Sequence, residues 1–258
     1  MQAPELLRLC PRLAAIAELV PPGRTLVDVG TDHALLPAAL VLRGTVPRAV
    51  ACDRAAEPLA RARATIERLG LADRIALRRG EGFAPLAEDE ADTAVIAGVG
   101  AATVLRILAA DPTRTCRFRR LVLQPNGLVG DAGEGRGHTA IRRWLVEHGV
   151  RIVDERLVED RGRFYVAIAG EPDGAAGAVG GSFVGTSEAA GWSRAAWVFG
   201  PVVLRRGGPV LARCLAAELR RCEAALRRTA GRAAVAERRA LVAEALAQAR
   251  LLGHPGQV

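Results

Sequence analysis

The chain has 258 residues, of which 50% are apolar, 25% charged and 3% aromatic, a composition typical of a globular protein with one large domain or one domain plus a smaller one. The sequence contains no apolar run of transmembrane length, no secretory-signal pattern and only five scattered cysteines. We therefore expect a cytoplasmic protein with no membrane span, no disulfide framework and no metal site. All 36 basic residues are arginine, and they exceed the acidic residues enough to give a net charge of +8.

Apolar strands alternate with amphipathic helices through the first half of the chain. Residues 5–20 predict a short amphipathic helix that leads into this pattern. Strands are predicted over residues 26–29, 48–54, 74–80, 91–100 and 119–126, and helices after the first strand and over residues 57–69, 102–110 and 138–149. Strands and helices that alternate at this spacing predict βαβ units, and so an α/β protein with a parallel, doubly wound, Rossmann-like sheet.

The pattern changes after the fifth strand. Residues 127–137 are glycine-rich and predict a loop at the open edge of the sheet. Two strands over 151–160 and 163–171, separated by Arg161-Gly162, predict an antiparallel hairpin. Residues 172–191 then begin with a low-complexity run and predict a flexible linker.

Apolar residues recur at helical spacing in two further runs, from Leu211 to Leu226 and from Val235 to Leu252. A break at Gly231 separates the runs, so they predict an antiparallel helical hairpin within residues 192–258. Residues 201–258 hold 11 arginines and four glutamates, which account for +7 of the net charge. This excess favours an RNA-facing arm, and the alternative is a structural or dimerising coiled coil.

Polar and glycine-containing loops follow several predicted strands, at the edge where open parallel sheets bind ligands. Gly30 lets backbone approach a ligand closely, and Asp53 can accept hydrogen bonds from both hydroxyls of a ribose. Neither G-x-G-x-x-G nor G-x-x-x-x-G-K-[ST] occurs, which disfavours a dinucleotide or a triphosphate. S-adenosylmethionine has a ribose, an adenine and an amino-acid moiety but no phosphate, and so it suits this site.

An ordered set of motifs identifies a resemblance to a known family. The motifs are DVGTDHALLP at 28–37, GEGF at 80–83, IAGVGA at 96–101, LVLQPN at 121–126, the RRWL helix, the RFY strand and FGP at 199–201. Together they resemble the bacterial methyltransferases that modify N1 of adenine 22 in tRNA. The resemblance covers nearly all of the chain outside 127–138 and 172–191, and it implies a class I methyltransferase sheet with a C-terminal coiled-coil hairpin that helps to hold tRNA.

Three features depart from the family pattern. Gly98-Val99-Gly100-Ala101 stands where the family usually has G-M-G-G, and Val166 follows Tyr165 where a glutamate is common. The third departure is the glycine-rich insertion after Asn126. These departures bear on the loop around the cofactor or base and on substrate access, but they delete none of the proposed cofactor residues.

Two residues are candidates for catalysis. Methylation at N1 places a positive charge on adenine, so the protein must orient the reactants and stabilise the cationic base. Asp32, which matches the family motif G-[ST]-D-H, is predicted to accept a hydrogen bond from the exocyclic N6, and Asn126 to hold the edge of the base. The alternatives are a helix N-cap for Asp32 and a simple turn for Asn126.

Cofactor contacts are predicted for seven residues, namely Asp28, Gly30, His33, Asp53, Glu81, Gly82 and Gly98. Asp28 is predicted to contact the methionine moiety or to organise its loop, and the alternative is that it only caps backbone amides. For Glu81 the alternative is to form a turn, and for His33 to hydrogen-bond only to backbone. Tyr165 either stacks on a flipped base or packs in the core.

Two other functions stay open at this stage. One is a small-molecule methyltransferase, which would label metabolites instead of RNA. The other is a non-catalytic RNA-binding protein with a decayed cofactor site, which would not bind the cofactor. The oligomeric state is also open, a monomer included.

Overall fold

A seven-stranded sheet forms the centre of the protein. The computed structural model describes residues 7–127, 129, 136–173, 189–227 and 232–251; most of the predicted glycine-rich loop and linker, and the break at Gly231, lie outside these residues. The strands are β1 (Leu26–Val29), β2 (Ala49–Asp53), β3 (Ile75–Arg79), β4 (Thr93–Gly100), β5 (Arg120–Asn126), β6 (Val150–Asp160) and β7 (Arg163–Pro172). Their order in the sheet is β3-β2-β1-β4-β5-β7-β6.

The first five strands are parallel, and the last two form an antiparallel hairpin in which β7 pairs with β5. This arrangement confirms the predicted α/β sheet and its terminal hairpin. Chain order reverses between β1 and β4, which are neighbours in the sheet. The loops after these strands therefore diverge and open a crevice, as in other doubly wound sheets.

Helices cover both faces of the sheet. Those of the first part of the chain are α1 (Pro11–Ala17), α2 (Leu35–Leu42), α3 (Ala56–Arg68), α4 (Ala101–Ala110), α5 (Pro112–Thr115) and α6 (Gly137–Glu147). One apolar cluster joins the sheet to α1, α2 and α3, and another joins it to α4 and α6. Burial on both faces explains why all four residues of β1, Asp28 included, are buried.

The first helix is shorter than the sequence pattern indicates. Residues 7–10 are not helical, and α1 begins at Pro11. Proline favours the first position of a helix because it has no N–H to leave unpaired, and it restricts the preceding residue to extended backbone. Cys10 accordingly has φ −63° and ψ 160°.

Four helices follow the hairpin: α7 (Arg194–Phe199), α8 (Pro201–Arg206), α9 (Pro209–Leu226) and α10 (Arg232–Leu251). The two long helices confirm the predicted pair, whereas the two short ones were not predicted. Buried residues of all four helices belong to the same apolar cluster as α4, α6 and one face of the sheet. None of the helices in the described part of the chain is long and apolar enough to cross a membrane.

A buried ion pair fixes the short helices to the sheet. Arg142 of α6 donates from Nε to Oε1 of Glu155 in β6 at 2.7 Å, and both side chains are fully buried. Arg142 Nη1 also donates to the carbonyl of Trp197 at 3.0 Å, and the backbone N–H of Val202 donates to Glu155 Oε2 at 3.0 Å. Arg142 and Glu155 thus provide hydrogen-bond partners for backbone groups near the end of α7 and the start of α8.

Candidate active site

A cavity of about 360 Å³ opens at the carboxyl ends of the parallel strands. Four of the predicted site residues line it: Gly30 after β1, Asp53 at the end of β2, and Glu81 and Gly82 after β3. The sheet brings these residues together because parallel strands end at one edge. We call this space the first cavity.

Two glycines shape the wall of the first cavity. Gly30 has φ +77°, and a Cβ there would lie 3.5 Å from Cγ1 of Val99. Gly82 has φ +53°, and a Cβ there would lie 3.1 Å from Cγ2 of Ile107. Both backbones adopt the left-handed conformation that favours glycine, and at Gly82 a side chain would also crowd the wall. The two glycines therefore keep the cavity open to a ligand.

Two carboxylates face the first cavity. Asp53 accepts a hydrogen bond from the backbone N–H of Ala55 at 3.0 Å, which fixes the aspartate at the mouth of the loop. Glu81 forms an ion pair with Arg106 of α4, and the hydrogen bond and charge of Arg106 lower the pKa of Glu81. Both carboxylates can accept hydrogen bonds from hydroxyl or amino groups of a ligand.

Asp28 lies beneath this site and does not line the cavity. It is 5% exposed and accepts a hydrogen bond from the hydroxyl of Thr31 at 2.7 Å. Burial raises the pKa of Asp28 to about 6, against the opposing effect of the Thr31 hydrogen bond. The contact with Thr31 organises the loop after β1, which is one of the two roles predicted for Asp28.

Asp32 and His33 lie at the protein surface and do not line the first cavity. Asp32 has φ +48° and accepts hydrogen bonds from Nε and Nη2 of Arg61 at 3.1 and 2.7 Å. Nε2 of His33 lies 3.7 Å from Oδ2 of Asp32. The N-cap of α2 is Ala34, without a side-chain cap, so Asp32 is an ion-pair partner of α3 and does not cap α2.

Asn126 stands at the end of β5 and lines a second cavity of about 500 Å³. We call this space the second cavity. The side-chain amide of Asn126 donates to the carbonyl of Gly98, another predicted site residue. Asn126 and Gly98 are therefore joined, although Gly98 does not line either cavity.

Sequence reasoning missed several residues that surround the site. Arg54, Thr103 and Arg106 line the first cavity. Arg12 of α1 donates to Oε1 of Gln124 at 2.7 Å, and its guanidinium carbon lies 5.8 Å from the ring centroid of Tyr165. Arg54 follows the predicted Asp53 directly and could have been found from that position. The contact of Arg12 joins residues 112 apart in the chain, and no local pattern indicates it.

The first cavity has the chemistry that a nucleoside requires. Asp53 and Glu81 supply acceptors for hydroxyl and amino groups, while Val99 and Ile107 supply apolar contact for a base. Gly30 and Gly82 leave the space that side chains would occupy. These residues fit the nucleoside part of S-adenosylmethionine. In the described part of the chain, no group of three or more His, Cys, Asp or Glu residues could hold a metal ion.

Comparisons with known sequences agree with this chemistry. The profile of a family described as a methyltransferase domain matches residues 9–168. The tRNA (adenine(22)-N(1))-methyltransferase of Bacillus subtilis (strain 168) is 35% identical over 172 residues, which are 66% of this chain and 68% of that protein.

Solved structures extend the similarity to the helical C-terminal region. Streptococcus pneumoniae Sp1610 in complex with S-adenosyl-L-methionine is 30% identical, with a TM-score of 0.76 over 91% of this chain and 98% of that chain. The B. subtilis M1A22 tRNA methyltransferase TrmK is 27% identical, with a TM-score of 0.71 over 95% of this chain and 99% of that chain. M. capricolum TrmK in complex with S-adenosyl-homocysteine shares the fold at 21% identity and a TM-score of 0.72, over 95% of this chain and 99% of that chain.

Proposed function

Because the chain belongs to the family of tRNA (adenine(22)-N1)-methyltransferases, we propose that it transfers a methyl group from S-adenosylmethionine to N1 of adenine 22 in tRNA. The observation that carries the proposal is the first cavity, in which Asp53, Glu81 and two left-handed glycines meet at the edge of the sheet. The relative with 35% identity bears the same activity in its name.

The roles of the cofactor residues follow from their places. Asp53 accepts from the ribose hydroxyls, and Glu81 accepts from the adenine amino group of the cofactor. The backbones at Gly30 and Gly82 allow close approach. Gly98 lines neither cavity, and we assign it a cofactor contact because Val99 and Gly100, the next residues of β4, line the first cavity. Asp28 in β1 and His33 after it are assigned to the amino-acid end of the cofactor. Glu81 must leave Arg106 or share it, which costs little because both side chains are about half exposed.

The chemical step needs orientation and stabilisation of charge. When bound, S-adenosylmethionine supplies a sulfonium methyl group, whose bond to sulfur breaks and leaves its electron pair there as adenine N1 bonds to the methyl carbon. The positive charge then lies on the base, and a carboxylate that accepts from N6 stabilises it. We assign that role to Asp32, whose exposed side chain lines neither cavity and must leave Arg61 and turn toward the base. We assign the base edge to Asn126.

Binding of tRNA is assigned to the helical region. We divide the chain into a catalytic domain at 1–171, a linker at 172–191 and a tRNA-binding domain at 192–258, in which arginines neutralise phosphates. N1 lies on the pairing edge of adenine, so the base must leave its stack before it reacts. We propose that the reaction takes place in the cytoplasm, because its substrate is tRNA.

Methyl transfer from labelled S-adenosylmethionine to an unmodified tRNA transcript, followed by nucleoside analysis, tests the proposal. We expect 1-methyladenosine at position 22, and no label in a transcript that carries guanosine there. Label in a metabolite pool instead of RNA would identify a small-molecule methyltransferase. Binding of tRNA without binding of the cofactor would identify a non-catalytic RNA-binding protein.

A further inference from the structure

The second cavity lies beside the first but belongs to different elements. It is lined by the end of β5, the tip of the β6–β7 hairpin and one side of α9, and the residues used below are Asn126, Arg163, Phe164, Tyr165 and Arg221. Its volume of about 500 Å³ is within the usual range for small-molecule sites. Its wall therefore combines the catalytic sheet with the helical region.

The two cavities meet at the ends of two neighbouring strands. Gly100 of β4 lines the first cavity and Asn126 of β5 lines the second. These two residues are register partners, and paired strands lie about 4.8 Å apart. A group in the second cavity can thus approach a group in the first without any rearrangement of the sheet.

The wall of the second cavity has an aromatic part and a cationic part. Phe164 and Tyr165 are half-buried and, as successive residues of β7, lie on opposite faces of the strand. Phe164 packs against the apolar cluster that includes α9, and the guanidinium of Arg12 lies over the ring of Tyr165. Arg163 is exposed and forms no ion pair among the described residues, and Arg221 is 44% exposed on its side chain. Aromatic rings next to guanidinium groups recognise a base and its phosphate.

Arg221 is positioned by a buried carboxylate. Glu218, which is 1% exposed, accepts from Nη1 of Arg221 at 2.6 Å and also forms an ion pair with Arg238 of α10. Arg238 gives Glu218 a second cationic partner besides Arg221. The helical pair therefore holds an arginine at the cavity.

We propose that the second cavity binds the acceptor nucleotide of the RNA as a single unstacked nucleoside 5′-phosphate. Phe164 contacts the base on the side of α9, Tyr165 borders the cavity from the other face of β7, Arg163 and Arg221 contact the phosphate, and Asn126 lies where the base meets the first cavity. The proposal rests on the proposed function and deepens it, because α9 then takes part in substrate selection at the reacting nucleotide as well as in holding distant parts of the RNA.

Photo-crosslinking with 8-azidoadenosine 5′-monophosphate tests this assignment. The full chain is first saturated with S-adenosylhomocysteine, so that the first cavity cannot take up the probe. We expect the crosslink in the peptide that contains Tyr165, and we expect adenosine 5′-monophosphate to compete about tenfold better than adenosine, the effect of one charge-assisted hydrogen bond. The variants Arg163→Gln and Arg221→Gln should each remove most of that preference.

Matched variants control for loss of charge alone. Arg161→Gln at the hairpin tip and Arg220→Gln on α9 should keep the preference for the phosphate. Arg163 is exposed and forms no ion pair among the described residues, so Arg163→Gln should not impair folding. It therefore still tests the assignment if Arg221→Gln proves to be poorly folded. No crosslink, a crosslink only outside the second cavity, or equal competition by adenosine would overturn the assignment. Because this assay uses no methyl transfer, a failure at adenine 22 would leave its result intact and overturn only the proposed function.

Discussion

At the scale of single residues, Asp28 combines burial with a titratable group. Its pKa is about 6 in the folded protein against 3.8 for a free side chain, so the native state holds this proton to higher pH than the unfolded chain. The stabilisation is complete below about pH 4 and is lost as the pH rises through about 6. At neutral pH the cost is roughly 3 kcal/mol.

We therefore predict that Asp28→Asn raises the free energy of unfolding at pH 7.5 but not at pH 4. Urea unfolding of both proteins across this range measures the difference, which should grow from near zero to a few kcal/mol. Thr31→Val serves as the control for loss of the hydroxyl contact. A difference that is independent of pH would show that burial of the charge is not its cause.

Substitution of Asp32 can distinguish an effect on cofactor binding from an effect on the methyl-transfer step. It lies outside the first cavity and pairs with Arg61, so we predict that Asp32→Ala leaves the affinity for S-adenosylhomocysteine within about twofold but lowers kcat by about 100-fold, as loss of one charge-stabilising group does. Calorimetry and methyl transfer measure the two effects. Glu57→Ala, which removes the other carboxylate on Arg61, should change neither. Equal losses of binding and rate would move Asp32 to the cofactor site.

At the scale of elements, the ion pair between Arg142 and Glu155 holds α7 and α8 on the sheet. We predict that Glu155→Gln lowers the free energy of unfolding by roughly 3–5 kcal/mol, because it leaves a buried guanidinium without its counter-charge. Urea unfolding measures this loss.

Glu159 provides a matched control on the same strand. Its ion pair with Arg213 is partly exposed, so Glu159→Gln should cost no more than about 1 kcal/mol. The apolar pair Arg142→Met with Glu155→Leu should recover only part of the stability lost in Glu155→Gln, because it also removes the partners of the Trp197 carbonyl and the Val202 N–H. Equal effects at 155 and 159 would contradict the special role of the buried pair.

The elements that the sequence predicted are those whose pattern is complete within a few residues. Buried strands such as β1 and β5 contain short apolar segments that stand out in the sequence, although β1 also holds Asp28 and β5 also holds Gln124. The long helix α9 repeats its apolar residues over several turns. The helices α7 and α8 have six residues each, too few to show a helical period. Their position depends on Arg142 and Glu155, which belong to other elements.

In the candidate site, too, some residues could be predicted from the sequence and others could not. Gly30, Asp53, Glu81 and Gly82 follow strands, so their meeting in the first cavity could be predicted from the order of elements alone. Arg106 reaches Glu81 from the face of a helix, and Arg12 reaches Gln124 across 112 residues. Such contacts depend on how helices pack on the sheet, and only the folded structure reveals them.

At the scale of the whole molecule, positive charge is unevenly distributed along the chain. Residues 201–258 carry most of the excess of arginine. Within them Arg227, at the C-cap of α9, and Arg239, in α10, are exposed. If this region binds phosphates, each neutralised contact releases counterions and adds close to one to the slope of log affinity against log salt. Charge near the amino ends of the strands, on the opposite edge from the two cavities, should not contribute.

We therefore predict that Arg227→Gln combined with Arg239→Gln weakens tRNA binding and lowers the salt slope by up to about two, while the affinity for S-adenosylhomocysteine stays the same. Arg24→Gln combined with Arg119→Gln removes the same charge beside Asp92, before the strands begin, and should leave the slope unchanged. Filter binding at several salt concentrations measures both pairs. Equal changes in the two pairs would mean that net charge alone attracts the RNA, and the helical region would then lose its assignment as the tRNA-binding surface.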